Sequence, residues 1–171
     1  MEPDDHQVWS HLGRLREAKG DLTAALDAYE RATASPQRTY YDHYLKANLL
    51  RKQGNLAGGL AELELARQLK TDSVILTNLI LIFQIQSGQS ETVRTLVRSY
   101  EHTGLHSNVD QWLLGAAAIN LQDSNWPKAE RLLARFRNLT NKELYQALVD
   151  DPFFDSFRER LPDFLSKTSA P

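Results

Sequence analysis

Three glycines stand at one fixed interval of thirty-four residues: Gly20 in AKGDLTAAL, Gly54 in KQGNLAGGL and Gly88 in IQSGQSETV. Each sits between one stretch of apolar residues at helical spacing and another. Glycine inside a helix costs about 1 kcal/mol against alanine, so glycine recurring at this interval marks the places where helices end. A left-handed residue is wanted there, and glycine supplies it without a steric penalty. A period of this length predicts repeated helix–turn–helix units, each too small to bury its own apolar face and stable only when stacked on its neighbours.

The first unit carries the fullest pattern. Trp9, Leu12 and Gly13 lie in its first helix, Gly20 in the turn, and Ala25, Tyr29 and Ala32 in its second helix, with Pro36 after it. These residues resemble the tetratricopeptide repeat (TPR) family. Arg16 departs from the family pattern, which commonly has an aromatic residue there. The resemblance implies an all-α fold, a right-handed superhelical solenoid of antiparallel helix pairs. Gly13 is expected to face Ala25, with Trp9, Leu12 and Tyr29 filling the space around them, so that close packing offsets the cost of a mid-helix glycine.

Four repeats follow in this register, at about 5–36, 39–70, 72–103 and 108–138. The second has Ala47, Gly59 and Ala66 at the small-residue positions, and Thr39 with Asp42 reads as a capping box. The third has Leu81, Val93 and Tyr100 there, so its helices are expected to stand further apart. The fourth restores a Leu-Gly pair as Leu114 and Gly115 and continues through Ala129, Leu133 and Phe136. Its turn, DSNW, reads as two residues longer, with Pro127 in the first turn of the next helix.

After Asn138 the period stops. Thr140 and Glu143 read as a capping box, and Asp151-Pro152 as a second helix start. Phe153, Phe154, Phe157, Leu161, Phe164 and Leu165 are too apolar to leave in water. The last repeat of a solenoid has an uncovered face, so 140–165 is assigned to capping helices and 166–171 to a disordered tail. The first repeat begins almost at once and has no such device, which leads to the expectation that this is the C-terminal part of a larger protein.

The remaining chemistry is sparse. There is no cysteine, hence no disulfide or thiolate metal site, and that composition fits cytoplasm and periplasm alike. The acidic start MEPDDHQVW does not read as a signal peptide, and the most apolar run, SVILTNLILIFQIQSG, is too short to cross a bilayer. A net charge of −2 and a pI near 6.2 argue against general nucleic-acid binding. His102 and His106 are separated by a helix-ending Gly104, which argues against a metal pair, and Asp151 reads as a cap rather than half of a catalytic pair with Asp150 or Asp155. Lys128, Arg131, Arg135 and Arg137 form a basic stripe interrupted by Glu130, read as a solvated face. Asn138-Leu139-Thr140 matches a glycosylation acceptor, relevant only to a secreted chain. No cofactor, metal or enzymatic activity is expected.

What the resemblance implies is a concave groove lined by the first helix of each repeat. Its register gives Gln7, Ser10, Arg14 and Glu17, then Tyr41, Tyr44, Asn48 and Arg51, then Asn78, Ile82 and Ile85, then Val109, Trp112 and Ala116. Arg14, Tyr41, Tyr44, Asn48, Arg51, Asn78, Ile82 and Trp112 are the expected partner-binding residues. The family's clamp for a terminal carboxylate needs Lys, Asn and Arg at set positions. Only Asn48 matches, whereas Arg14, Ser10, Asn78 and Ile82 do not, so that mode is rejected. The expected function is a protein–protein interaction scaffold holding a peptide or helix of another protein. The alternatives are self-association as a homodimer, for which the apolar Ile75, Leu79, Ile82 and Phe83 are candidates, or positioning of an upstream enzyme or regulator.

Overall fold

The computed structural model describes residues 5–103 and 110–166, with no account of the side chains of 100–103 and 110–111. Expectations that fall on Val109, His102, His106, the Tyr100 side chain and the tail beyond Ser166 lie outside the described residues. Every regular element among them is helical. The chain divides into two compact units, Met1–Leu76 and Thr77–Pro171.

The first unit holds two helical hairpins. The first pairs α1 (His6–Ala18) with α2 (Leu22–Ala34), and the second pairs α3 (Tyr40–Lys52) with α4 (Leu56–Leu69). α3 packs on both α1 and α2, which stacks one hairpin on the other. In the second unit, which takes over within α5 (Val74–Gln86), follow α6 (Ser90–Thr103), α7 (Asp110–Gln122) and α8 (Trp126–Leu139). Then come α9 (Lys142–Val149), a 3-10 turn at Pro152–Phe157 and α10 (Pro162–Leu165). α7 packs on α6 and α8, and α8 on α9 and α10. The fold is thus all-α and built of paired helices, as the period requires.

The turns explain the period. Gly20, Gly54 and Gly88 have φ of +82°, +80° and +84°. The amide after each closes a bond to the carbonyl five residues back: Asp21 to Arg16 at 3.0 Å, Asn55 to Leu50 at 2.9 Å and Gln89 to Gln84 at 2.8 Å. That is the Schellman arrangement, and it satisfies carbonyls the ending helix would otherwise leave open. The fourth turn is the same device without glycine. Ser124 has φ 58°, and Asn125 donates to Asn120 at 2.8 Å. Its three residues, Asp123 to Asn125, match Lys19 to Asp21 in length. The expectation of a longer fourth turn is therefore corrected: the two additional residues enter before α7 begins at Asp110.

Small residues open space for large neighbours. A Cβ placed on Gly13 would meet the Tyr29 ring, with Cε1 at 2.4 Å and Cδ1 at 2.5 Å, so Gly13 accommodates a phenol. Tyr29 is wholly buried with Ala25, Leu45 and Leu49, and Leu22, Leu26 and Tyr44 pack around them. Arg16, the departure from the family pattern, donates from Nη1 to the Ala24 carbonyl at 2.9 Å and so ties α1 to α2. Gly115 serves the preceding hairpin: a Cβ there would strike Leu81 Cδ1 at 2.4 Å. α7 is buried from Trp112 to Leu121, as befits a helix without a polar face.

Caps fix the helix starts. Asp21 accepts from Ala24 N, Asn55 from Gly58 N, and Asp151 from Phe153 N. Pro127 stands in the first turn of α8. The expected Thr140–Glu143 box is replaced. Asn141 caps α9 by accepting from Leu144 N, and Thr140 instead returns its hydroxyl to Phe136 O at 2.8 Å. Thr140 has no room for both roles because it still closes α8. Beyond it, Phe154, Leu161 and Leu165 are buried. Arg158 threads among the carbonyls of Val149, Asp151 and Leu165. Tyr145 donates to Phe164 O at 2.8 Å, and burial pushes its hydroxyl up to about 12.

Candidate partner-binding face

Tyr41, Tyr44, Asn48 and Arg51 are spaced three, four and three residues apart, so they form one stripe along α3. Tyr41 is 42% exposed, and its ring stacks on Tyr44 with centroids 5.7 Å apart and planes 24° off parallel. Tyr44 is half-buried because its other side rests on the core around Tyr29. Arg51 donates from Nη2 to Asn48 Oδ1 at 3.3 Å. On α1, Arg14 is exposed. Arg14 and Tyr41 both act electrostatically on the Tyr29 hydroxyl, which brings them to the same region of the face.

Beneath that face the polar groups are paired. Tyr29 donates to Glu17 Oε2 at 2.8 Å, and Lys52 reaches Glu17 Oε1 at 2.6 Å. Burial, the hydrogen bond to Glu17 and Glu17's negative charge hold the Tyr29 hydroxyl above the usual phenol range. Glu17 was an expected groove residue, and its charge is spent on these two partners.

Ser10 was expected to line the groove and does not. It is buried and donates to Asp42 Oδ1 at 2.5 Å. His6 Nδ1 lies 2.8 Å from Asp42 Oδ2, which also accepts from Thr39 N at 2.6 Å and Thr39 Oγ1 at 3.0 Å. The Thr39–Asp42 capping box is present, and the extra partners explain why the shorter aspartate stands where glutamate is commoner. Its carboxylate caps α3 and at the same time takes two side chains of α1. Nothing in the sequence marks this cluster except that His6 and Ser10 are four apart on one helix face.

On the opposite side of α3, His43 Nδ1 meets Glu62 Oε2 at 2.7 Å and Lys46 meets Glu62 Oε1 at 2.8 Å. Burial alone would raise the Glu62 carboxyl. The hydrogen bonds from His43 and Lys46, with their charges, outweigh it and hold the group below the usual carboxylate range.

The expected groove residues of the second unit are buried. Asn78 and Ile82 are 0% exposed and Trp112 is 8% exposed, and Ile85 and Ala116 are buried with them. Asn78 Oδ1 accepts from Gly115 N at 3.3 Å, so its amide serves the packing of α5 on α7. Ile82 and Trp112 lie in helices that are apolar nearly all round, where helical register does not identify the outward side. Of the apolar residues in α5, Ile75 is 39% exposed, while Leu79, Ile82 and Phe83 are inside. Along the basic stripe, Arg131 and Arg135 are exposed, but Arg137 donates to Asp163 O at 3.2 Å and lies over the Phe164 ring. Among the described residues, no three acidic or histidine side chains converge as a metal site would need. No described helix is long and apolar enough to cross a membrane.

No family model matches the sequence, and no curated protein matches it. Solved structures do match its fold. One is that described as "Functional Characterization of Pseudomonas Aeruginosa pilF", similar with a TM-score of 0.57 and 14% sequence identity over 92% of this chain and 71% of that one. At that identity the likeness establishes the fold, a helical-hairpin repeat architecture resembling TPR proteins.

Proposed function

We propose that the chain is a TPR-type interaction scaffold, and that it holds a peptide or helix of a partner protein on the α1–α3 face of its first unit. The observation that carries this reading is the exposed Tyr41 stacked on a half-buried Tyr44, beside Arg14, Asn48 and Arg51. Aromatic side chains held rigidly at a surface give contact area at little entropic cost, and tyrosine and arginine are enriched among residues that dominate binding energy. Asn48 adds an amide suited to a ligand's backbone. Asn78, Ile82 and Trp112 are buried within the second unit and are left out of this face. The segment 140–165 acts in this reading as a cap on the last repeat.

The test is selection of dodecapeptides from a displayed random library on the purified chain, followed by fluorescence anisotropy with the enriched sequences. Tyr41→Ala and Tyr44→Ala should each weaken binding by tenfold or more. Unchanged affinity in both variants would place the binding surface elsewhere.

A further inference from the structure

The solvent-facing side of α1 carries an apolar row. Val8 is 45% exposed and Leu15 is 54% exposed, with the half-buried Leu12 between them. At about 3.6 residues per turn the three fall within about 60° of one another. The residues one period on are covered. Asp42, Leu45 and Leu49 stand thirty-four positions beyond Val8, His11 and Leu15, and all three are buried. Leu45 and Leu49 pack with Ala25 and Tyr29 of α2, and Asp42 bonds to His6 and Ser10 of α1. That side of α3 is a helix-packing surface, and the row on α1 is its counterpart one period earlier. The row also runs between opposite charges. Asp5 caps the start of α1 and Lys19 closes its end, and both are exposed.

We infer that this row is a self-association surface, on which α1 of a second copy of the chain lies antiparallel. Turned end for end about a two-fold axis near Leu12, the row complements itself. Val8 meets Leu15 of the second copy, Asp5 comes within reach of Lys19 of the second copy, and the two helix dipoles oppose each other. A parallel pair would set Asp5 beside Asp5 and Lys19 beside Lys19, with the dipoles aligned, so charge selects the antiparallel arrangement. The row lies about a third of a turn round α1 from Arg14, and the inference stands apart from the proposed peptide-binding face.

The experiment is sedimentation equilibrium of the full chain. The contact runs along one helix of 13 residues. Such an interface is small, so association should appear between roughly 10 µM and roughly 1 mM. Leu15→Glu should keep the chain monomeric across that range with an unchanged helical circular-dichroism spectrum. Ile75→Glu, at another exposed apolar position, should dimerise as wild type does. Because the chain has no cysteine, single substitutions report the register by oxidative crosslinking. Leu12→Cys should form a disulfide-linked dimer. Val8→Cys and Leu15→Cys should crosslink when mixed but not alone, because equivalent residues would stand about 10 Å apart along the pair. A wild-type chain that stays monomeric to roughly 1 mM overturns the inference, as does a dimer that survives Leu15→Glu or is lost with Ile75→Glu. Crosslinking of Val8→Cys alone would mean a parallel pair, which overturns it equally.

Discussion

Gly13→Ala sets two known effects against each other, and the structure decides the sign. Alanine is the better helix former by about 1 kcal/mol, so on propensity alone the variant gains stability. The added methyl would lie 2.4, 2.5 and 2.9 Å from three carbons of the Tyr29 ring, where ordinary contact begins near 3.4 Å. The ring must retreat by about 1 Å, and it has little freedom to do so. Tyr29 is 0% exposed, and its hydroxyl is fixed to Glu17 at 2.8 Å. Overpacking of this kind costs about 1–3 kcal/mol, so the expected net loss is about 1 kcal/mol. Urea titration followed by circular dichroism reads it directly, as a lower midpoint at unchanged slope. The sharper measurement is a cycle with Tyr29→Leu. Once the ring is gone, Gly13→Ala should become stabilising by roughly the propensity difference. Gly20→Ala serves as the control. Apart from its own chain neighbours nothing lies within 4 Å of its Cβ position, and φ is +82°, so its cost comes from backbone strain and should not depend on residue 29. If Gly13→Ala raised stability in the wild-type background, the phenol would not be the reason for the glycine.

Ser124→Gly should stabilise the second unit by about 0.5–1 kcal/mol, because a left-handed serine costs about 1–2 kcal/mol and glycine returns part of that as extra freedom of the unfolded chain. A thermal melt checks it, and Ser124→Ala should show no such gain. Glu62→Gln should cost about 2 kcal/mol at neutral pH by weakening the bonds from His43 and Lys46. The Glu62 carboxyl is depressed in the folded state, so its contribution is complete above the unfolded glutamate value of about 4.3 and fades as pH falls through the folded value. The difference between wild type and variant in urea midpoint should therefore shrink below about pH 4. Asp42→Asn keeps the volume but turns an amide donor toward donors, and should cost about 3 kcal/mol by urea titration. A loss below about 1 kcal/mol would mean that the cluster relaxes around water.

How far the sequence could be read depended on what each signal physically measures. The turns were legible because a positive φ nearly demands glycine, and three of the four positions have it. The fourth was misjudged because Ser124 adopts the same φ without the residue that advertises it. Helix faces were legible in α1 and α3, where polar and apolar sides alternate, and there Arg14, Tyr41, Tyr44, Asn48 and Arg51 stand at or near the surface. They were illegible in α5 and α7, which are apolar almost throughout. Register alone placed Asn78, Ile82 and Trp112 on a groove, while the packing of α5 on α7 buries them. Gly13 marks a limit of another kind. A small residue in a sequence says that something approaches closely, but not whether the visitor is a backbone or a ring.

The buried polar residues of α3 bear on the surface they never reach. Tyr41, Asp42, His43 and Tyr44 are consecutive and turn to different sides of one helix. Asp42 is drawn to His6 and Ser10 on α1, and His43 to Glu62 on α4, each by short bonds in a poorly solvated setting. A hydrophobic contact tolerates rotation of a helix by some degrees, whereas a carboxylate with four donors does not. These two anchors fix the rotation of α3 about its axis, and with it the direction in which the Tyr41–Tyr44 stack faces. Preorganisation of that kind lowers the entropic cost of docking a peptide. It follows that Asp42→Asn should weaken binding of a peptide selected on this face even though residue 42 is shut away from solvent, and that its effect on affinity should scale with the loss of order in α1 measured by amide hydrogen exchange.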